Sequence, residues 1–194
     1  MSNFEQSWKC LHPNSYPVGY MMRGAGDPNW LRFHSLPESK RYADNPDERV
    51  LLLARHNRIA AEVFGNGSPL WLVQTCWETP EGMCEASDTQ EQFRACRDYD
   101  LAWAFRFLVD EDDEDEHAWN VHAAQTVWAD GKFDELLWDI ANENAAPTIW
   151  MSASTGAVFA PYDGGIDLFL PTQELVQRLR ASYPEWLSDH PEGL

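Results

Sequence analysis

Short turns between segments of alternating hydrophobicity constrain this fold more than any other feature of the sequence. Thr148 to Ala153 and Ala157 to Ala160 flank Ser154-Thr155-Gly156, a connection so short that the two strands must pair antiparallel. Residues 119–128 alternate too, so the acidic stretch before them is predicted to connect a second hairpin. That hairpin begins with an alternating set that we expect on one core face: Leu101, Trp103, Phe105, Phe107 and Val109.

Helix boundary signals lie between the strands. Asn45 is a predicted N-cap, followed by Pro46 and by Glu48 in the capping-box position, and Gly65 is the expected stop of that helix. Thr172 is predicted to cap a last helix that runs to about Ser182. Helical spacing also marks residues 131–144, and shorter strands are predicted at residues 30–36, 70–77 and 166–170, with a short helix around 90–96.

These elements predict an α+β fold: a single antiparallel sheet of about five to seven strands with two to three helices packed on one face. No repeat and no linker divides the chain, so residues 1–194 are expected to form one globular domain. The first 27 residues contain many turn formers. We expect them to be irregular but packed, with one short strand.

The bulk composition indicates a cytoplasmic protein. Apolar residues make up 44% of the chain, yet no apolar run approaches the roughly 20 residues that cross a bilayer. Residues 1–9 lack the apolar core of a secretion signal. The four cysteines (Cys10, Cys76, Cys84 and Cys96) form no Cys-x-x-Cys pair, so we interpret them as reduced thiols, mostly in the core, and expect neither a metal site nor a cofactor.

Charge is distributed unevenly along the chain. Residues 1–97 carry a net charge of −2 and residues 98–194 carry −16, which together give the −18 of the whole chain. Such a field repels nucleic acids and anionic membranes and attracts cationic partners. It predicts a basic protein partner, and it opposes close self-association, so we expect a monomer or a weak dimer.

The acidic run of seven consecutive residues has three interpretations. It is a solvated hairpin loop, a docking element for a basic partner, or a calcium site, although the spacing and central glycine of an EF-hand are absent. Seven like charges in a row repel one another, and this cost to the fold favours a functional gain from the run. Docking would supply such a gain, because complementary electric fields speed the association of two proteins. The run consists of Asp110, Glu111, Asp112, Asp113, Glu114, Asp115 and Glu116.

Ten tryptophans are distributed along the chain. Most of them fall at inward-facing positions or at the ends of predicted elements, which favours a place in the core. Four of them have an alternative interpretation, a groove that stacks sugars or anchors a protein partner. These four are Trp71, Trp77, Trp119 and Trp128.

Candidate catalytic groups exist, but no motif assembles them. Asp163 and Asp167 lie near a Gly-Gly turn, and His34 and His122 lie on predicted strands, so an acid–base pair is conceivable. The sequence contains no P-loop, nucleophile-elbow, dinucleotide-binding or zinc-protease motif. A basic cluster beside the first strand predicts either an anion-accepting pocket or a loop held by its own hydrogen bonds, with Arg32 paired to Glu38. The cluster consists of Arg32, His34, Lys40 and Arg41.

Three stretches together resemble a known family: WLRFHSLPESKRYAD (30–44), FAPYDGGIDLFLPT (159–172) and YPEWLSDHPEGL (183–194). They are similar to a bacterial family of uncharacterised proteins related to the domain of unknown function DUF3885, which carries a Tyr-Asp-Asp-Arg-Gly motif. Here the corresponding stretch is Tyr162-Asp163-Gly164-Gly165, in which two glycines replace the Asp-Arg pair. The resemblance implies no mechanism, and the acidic run lies outside these motifs.

Two hypotheses of function remain open from the sequence. The leading one is a non-catalytic acidic binding module that docks on a basic protein through Asp110 to Glu116. In its size, its acidity and its lack of motifs, the chain resembles bacterial immunity proteins as a type. Such proteins block a toxin by covering its active site. The alternative is a small-molecule or sugar-processing enzyme that uses Arg32 and His34 with Asp163 and Asp167.

Overall fold

The computed structural model describes residues 2–24, 26–78, 93–109 and 117–187. These residues form seven strands and six α-helices, four of which have eight residues or more. The strands are β1 (Trp30–His34), β2 (Pro69–Glu78), β3 (Ala102–Val109), β4 (His117–Val127), β5 (Thr148–Ser152), β6 (Val158–Tyr162) and β7 (Gly165–Phe169). The helices are α1 (Asn3–Leu11), α2 (Gly19–Gly24), α3 (Pro46–Phe64), α4 (Arg94–Asp98), α5 (Asp134–Ala141) and α6 (Gln173–Ser182).

All seven strands belong to one sheet, in the order β1-β7-β6-β5-β2-β4-β3. Every neighbouring pair is antiparallel, which confirms the predicted α+β class and both predicted hairpins. The first and last parts of the chain meet at one edge, where β1 pairs with β7 and Arg32 lies opposite Asp167. This long-range pairing brings together side chains that are far apart in the sequence.

The predicted helix boundaries are confirmed at the cap residues. The Asn45 side chain accepts a hydrogen bond from the Glu48 amide, and the Gly65 amide donates to Ala61 at the other end of α3. Glu48 does not complete the capping box, because its carboxylate accepts from the Asp44 amide at 2.7 Å instead. Thr172 caps α6 as predicted.

Helices pack on both faces of the sheet, not on one as the sequence predicted. On the first face, which we call the α3 face, Leu72 and Trp150 pack with α3, α5 and α6. On the second, the α1 face, Val73 and Met151 pack with α1 and α2. The central strands carry apolar side chains on both faces of the sheet. Both faces must therefore be covered by helices to bury these side chains.

The N-terminal segment differs from the irregular structure that its turn formers predicted. Ser2 caps α1, and Phe4 and Trp8 of this helix are buried on the α1 face. Gly19 brings α2 close to the sheet, since a Cβ atom there would lie 2.8 Å from the Ala160 Cβ. The turn residues at 12–17 therefore connect two helices.

Strand β3 departs from its predicted alternation. Its register shifts between Trp103 and Phe105, so Phe105 and Phe107 face the α1 core whereas Trp103 lies opposite His122 and is 61% exposed. The expected common core face for Trp103 and Phe105 is wrong, because a β-bulge reverses the phase of the strand.

Candidate functional site

A cavity of about 420 Å³ opens on the α1 face at one end of the sheet. Three parts of the chain form its walls: α2 with Tyr20 and Arg23, the connection between α5 and β5, and the ends of β6 and β7. Polar side chains from β6 and β7 enter it, among them Tyr162 and Asp167. Two of the candidate catalytic residues, Asp163 and Asp167, therefore line this cavity.

Arg32 and Asp167 form a buried ion pair beside the cavity. The Arg32 Nε donates to Asp167 Oδ1 at 2.8 Å and its Nη2 donates to Oδ2 at 3.0 Å, while Trp30 Nε1 adds a third hydrogen bond. Arg32 is 8% exposed and Asp167 3%. Burial lowers the pKa of the Arg32 guanidinium, but the hydrogen bonds and the charge of Asp167 raise it above its ordinary value overall. The expected partner, Glu38, is not the residue that binds Arg32.

Tyr162 covers this ion pair. The guanidinium carbon of Arg32 lies 4.9 Å from the centre of the Tyr162 ring, a cation–π contact. Burial raises the pKa of Tyr162 to about 12, so its hydroxyl stays protonated at neutral pH. The ring crosses the Gly-Gly turn, and a Cβ atom at Gly165 would lie 2.8 Å from the tyrosine hydroxyl. A glycine is thus needed where β7 begins.

Asp163 lies at the rim in a second cluster of opposite charges. Its carboxylate accepts from Arg41 and from the Tyr42 hydroxyl. Glu143 joins them, because it accepts from Tyr42 at 2.7 Å and lies 3.6 Å from the Arg41 guanidinium. These contacts connect the loop after β1 to the β6–β7 hairpin and to the end of α5.

The predicted basic cluster is divided in the structure. Lys40 contacts Asp44 at 2.8 Å and Glu48 at 2.6 Å, which holds it at the start of α3. His34 extends from the α1 face of β1, as Arg32 does two residues earlier, and its backbone oxygen accepts from Arg55. Arg32 and Arg41 lie near Asp167 and Asp163. The acid–base and anion-pocket hypotheses for these residues stay predictions.

Ser35 and His56 have the separation of a nucleophile and its base, but they lie in the core. The Ser35 Oγ is 2.8 Å from His56 Nε2, and neither residue is exposed. Burial lowers the pKa of His56 to about 3, so the imidazole is neutral at physiological pH. A substrate cannot reach this pair, and its role is structural.

We expect the His56 imidazole to make the fold acid-sensitive. Below its unfolded pKa of 6.5 only the unfolded state takes up the proton, so stability falls by about 1.4 kcal/mol per pH unit towards pH 3. In urea unfolding at pH 7 and pH 5, the wild type should lose about 2 kcal/mol more than His56→Gln, which does not titrate. Equal losses in the two proteins would contradict this expectation.

Aromatic side chains cover the α1 face near the end of β3 and the start of β4. Trp77 of β2 lies opposite Trp119 of β4, and the two project from the same face. Phe107 of β3 stacks on Trp119 with ring centres 6.2 Å apart, and Tyr20 of α2 meets the edge of Trp119 at 6.5 Å. Trp77 is 49% exposed and Tyr20 51%. We call these four residues the aromatic surface.

The acidic run itself, Asp110 to Glu116, lies outside the described residues. The strand residues on either side of it are described. Val109 at the end of β3 pairs with His117 at the start of β4, next to the aromatic surface. Of the four tryptophans proposed for a groove, Trp71 and Trp128 are buried, whereas Trp77 is exposed and Trp119 half-buried.

Cysteines show no common role. Cys76 is buried, Cys10 is exposed at the end of α1, and Cys96 donates to Gln74 at 3.3 Å; Cys84 lies outside the described residues. In the described ranges, no group of three or more His, Cys, Asp or Glu side chains is placed to hold a metal ion. Nor does any helix there combine the length and the apolarity of a membrane span.

Arg23 and Tyr20 are among the cavity residues that sequence reasoning missed. They lie in a segment whose glycines and turn formers obscure a short helix, and no motif marks them. Their signal is tertiary, because only the packing of α2 against β6 brings them to the cavity.

A comparison with protein families matches residues 18–191 to the domain of unknown function DUF3885. The chain belongs to the DUF3885 family. No curated protein and no solved structure matches it significantly. The match confirms the resemblance found in the sequence. Helix α1 precedes the part that matches DUF3885, whereas every residue that lines the cavity lies within it.

Proposed function

We propose that this chain is a non-catalytic binding module of the immunity or inhibitor type, which docks on a basic protein partner. The observation that carries the proposal is the aromatic surface, which lies near the two strand ends that flank the acidic run in the sequence. Charge alone attracts any cation, whereas exposed tryptophan and tyrosine side chains supply the anchors that give a protein interface its affinity.

The aromatic surface has the form of an interface core. Trp77 and Tyr20 are half exposed. Trp119 lies opposite Trp77, meets the Tyr20 ring at its edge and stacks on Phe107. Rigid aromatic side chains on paired strands lose little conformational entropy when a partner covers them. Contiguous exposed apolar groups on a chain of charge −18 favour a functional surface.

The strand ends that flank the acidic run, Val109 and His117, lie close to this surface. Glu116 precedes Trp119 by three residues, so the chain separates them by about 11 Å at most. A basic partner that meets the run therefore also reaches the aromatic surface. The negative field speeds the encounter, and the aromatic contacts slow dissociation.

Electrostatics favours a protein over the other macromolecules. The run would repel phosphate backbones and anionic headgroups, whereas a substrate channel lined with lysine and arginine, as in a nuclease, would attract it. In this proposal the module acts as a monomer or a weak dimer, since −18 per copy opposes tight self-association.

The test is the capture of a partner by the tagged wild type and by a variant in which the run is neutralised to Asn and Gln. The captured protein is identified, purified and titrated against both at low and high salt. We expect neutralisation to remove binding at low salt and to leave thermal stability equal or higher, because self-repulsion is relieved.

Matched variants separate this site from bulk charge and bulk hydrophobicity. Neutralising four residues of the run should weaken binding far more than neutralising four exposed acids elsewhere, Asp47, Asp100, Asp130 and Glu185. Trp77→Ala should weaken it by about tenfold or more. Trp103→Ala, on the opposite face of the sheet, should not. The docking site would be refuted if the two sets of neutralised acids weakened binding equally, or if Trp77→Ala and Trp103→Ala did.

A further inference from the structure

The cavity at the end of the sheet has the form of a small-molecule site. Its volume of about 420 Å³ lies within the usual range for ligand pockets, roughly 300–1,000 Å³. Its walls are mostly apolar, with Ile140, Ala145 to Pro147, Ala160 and Pro161, and Tyr20 stands at one side. This surface suits the apolar body of a ligand, and the few polar groups decide which ligand it accepts.

Each of the three carboxylates at the cavity already has a partner. Asp167 is held by both hydrogen bonds from Arg32, and Asp163 accepts from Arg41. Glu143 accepts from the Tyr42 hydroxyl and lies near the same Arg41. These carboxylates are therefore compensated, and a cationic ligand would have to displace an existing partner.

Arg23 is the exception among the charged groups of the cavity. It is half-buried in the last turn of α2, and no carboxylate of the described residues lies within ion-pair distance of it. A guanidinium at an apolar wall gains a charge-assisted, bidentate pair when an anion binds. The charges that line this cavity therefore favour a ligand with one negative group.

We infer that the cavity binds a small molecule with one anionic group, a carboxylate or a phosphate, held by Arg23, and an apolar body that packs between Tyr20 and the α5–β5 connection. The inference goes beyond the proposed docking function, since it concerns a different ligand. It assigns a role to Arg23 and to the space beside the buried Arg32–Asp167 pair.

The experiment titrates benzoate and phenyl phosphate into the full chain and follows the amide signals by NMR. In the wild type, millimolar benzoate should shift the signals of Gly19, Ala146 and Ala160. Arg23→Gln should weaken the affinity by about tenfold, as expected for the loss of one charged hydrogen-bonding partner. The comparison of the two probes distinguishes a carboxylate site from a phosphate site.

Two controls keep the result specific. Arg178→Gln, which removes an exposed arginine of α6, should leave benzoate binding unchanged. Neutral benzamide should bind to the wild type more weakly than benzoate does. In Arg23→Gln, benzamide and benzoate should bind with equal affinity. Equal benzoate affinities of the wild type and Arg23→Gln, or no shifts with either anion at about 10 mM, would overturn the inference.

Discussion

Asp167→Ala is expected to lower the free energy of unfolding by about 3–5 kcal/mol, because it leaves the Arg32 guanidinium buried without its anion. Arg32 is 8% exposed. The Asp167 carboxylate accepts two hydrogen bonds from Arg32 and a third from Trp30 Nε1. Urea unfolding followed by tryptophan fluorescence measures the loss.

The double variant Arg32→Met/Asp167→Leu is the informative control for this prediction. Replacement of a buried ion pair by apolar side chains of similar size is often neutral, so we expect it to recover most of the stability lost in Asp167→Ala. If Asp167→Ala costs less than about 1 kcal/mol, the pair behaves like a solvated surface bridge and not like a buried ion pair.

Gly165→Ala is expected to destabilise the edge of the sheet by about 1–3 kcal/mol or more. The new Cβ atom would lie 2.3 Å from the Phe33 carbonyl oxygen and 2.8 Å from the Tyr162 hydroxyl. The first of these atoms belongs to the backbone of β1, so the β1–β7 ladder must shift, and the tyrosine ring must shift as well. Equilibrium unfolding, with hydrogen exchange of the β1 amides, reports both the size and the place of the effect.

Two further variants locate the cause of this loss. Gly24→Ala should be close to neutral, since nothing lies within 4 Å of its new Cβ atom. Adding Tyr162→Phe to Gly165→Ala removes the hydroxyl contact but not the contact with Phe33, so it should restore only part of the stability. Complete restoration would place the conflict at the tyrosine alone, and no loss in Gly165→Ala would contradict the close approach of β1.

Short-range signals predicted most of the elements correctly. The caps at Asn45 and Thr172, the stop at Gly65 and the hairpin around Ser154 depend on residues three or four positions apart, and each of them is present. The family resemblance was also readable, from three stretches of sequence.

Predictions failed where packing overrides local pattern. The turn formers of the first 27 residues obscured α1 and α2, which are helices because Phe4, Trp8 and Met22 are buried against the α1 face. The alternation through Trp103 and Phe105 overlooked a bulge that the pairing with β4 imposes. Helices on one face were predicted, yet both faces of the central strands needed cover.

By itself, the sequence determined the antiparallel class, the main helix boundaries and the one-sided charge, because each follows from neighbouring residues or from composition. Only the tertiary structure decided that Arg32 pairs with Asp167, 135 residues away, and that Arg23 and Tyr162 line the same cavity. The order of strands sets such contacts, and many orders satisfy the same local pattern. The aromatic surface emerged in the same way, from three strands and a helix that no local signal connects.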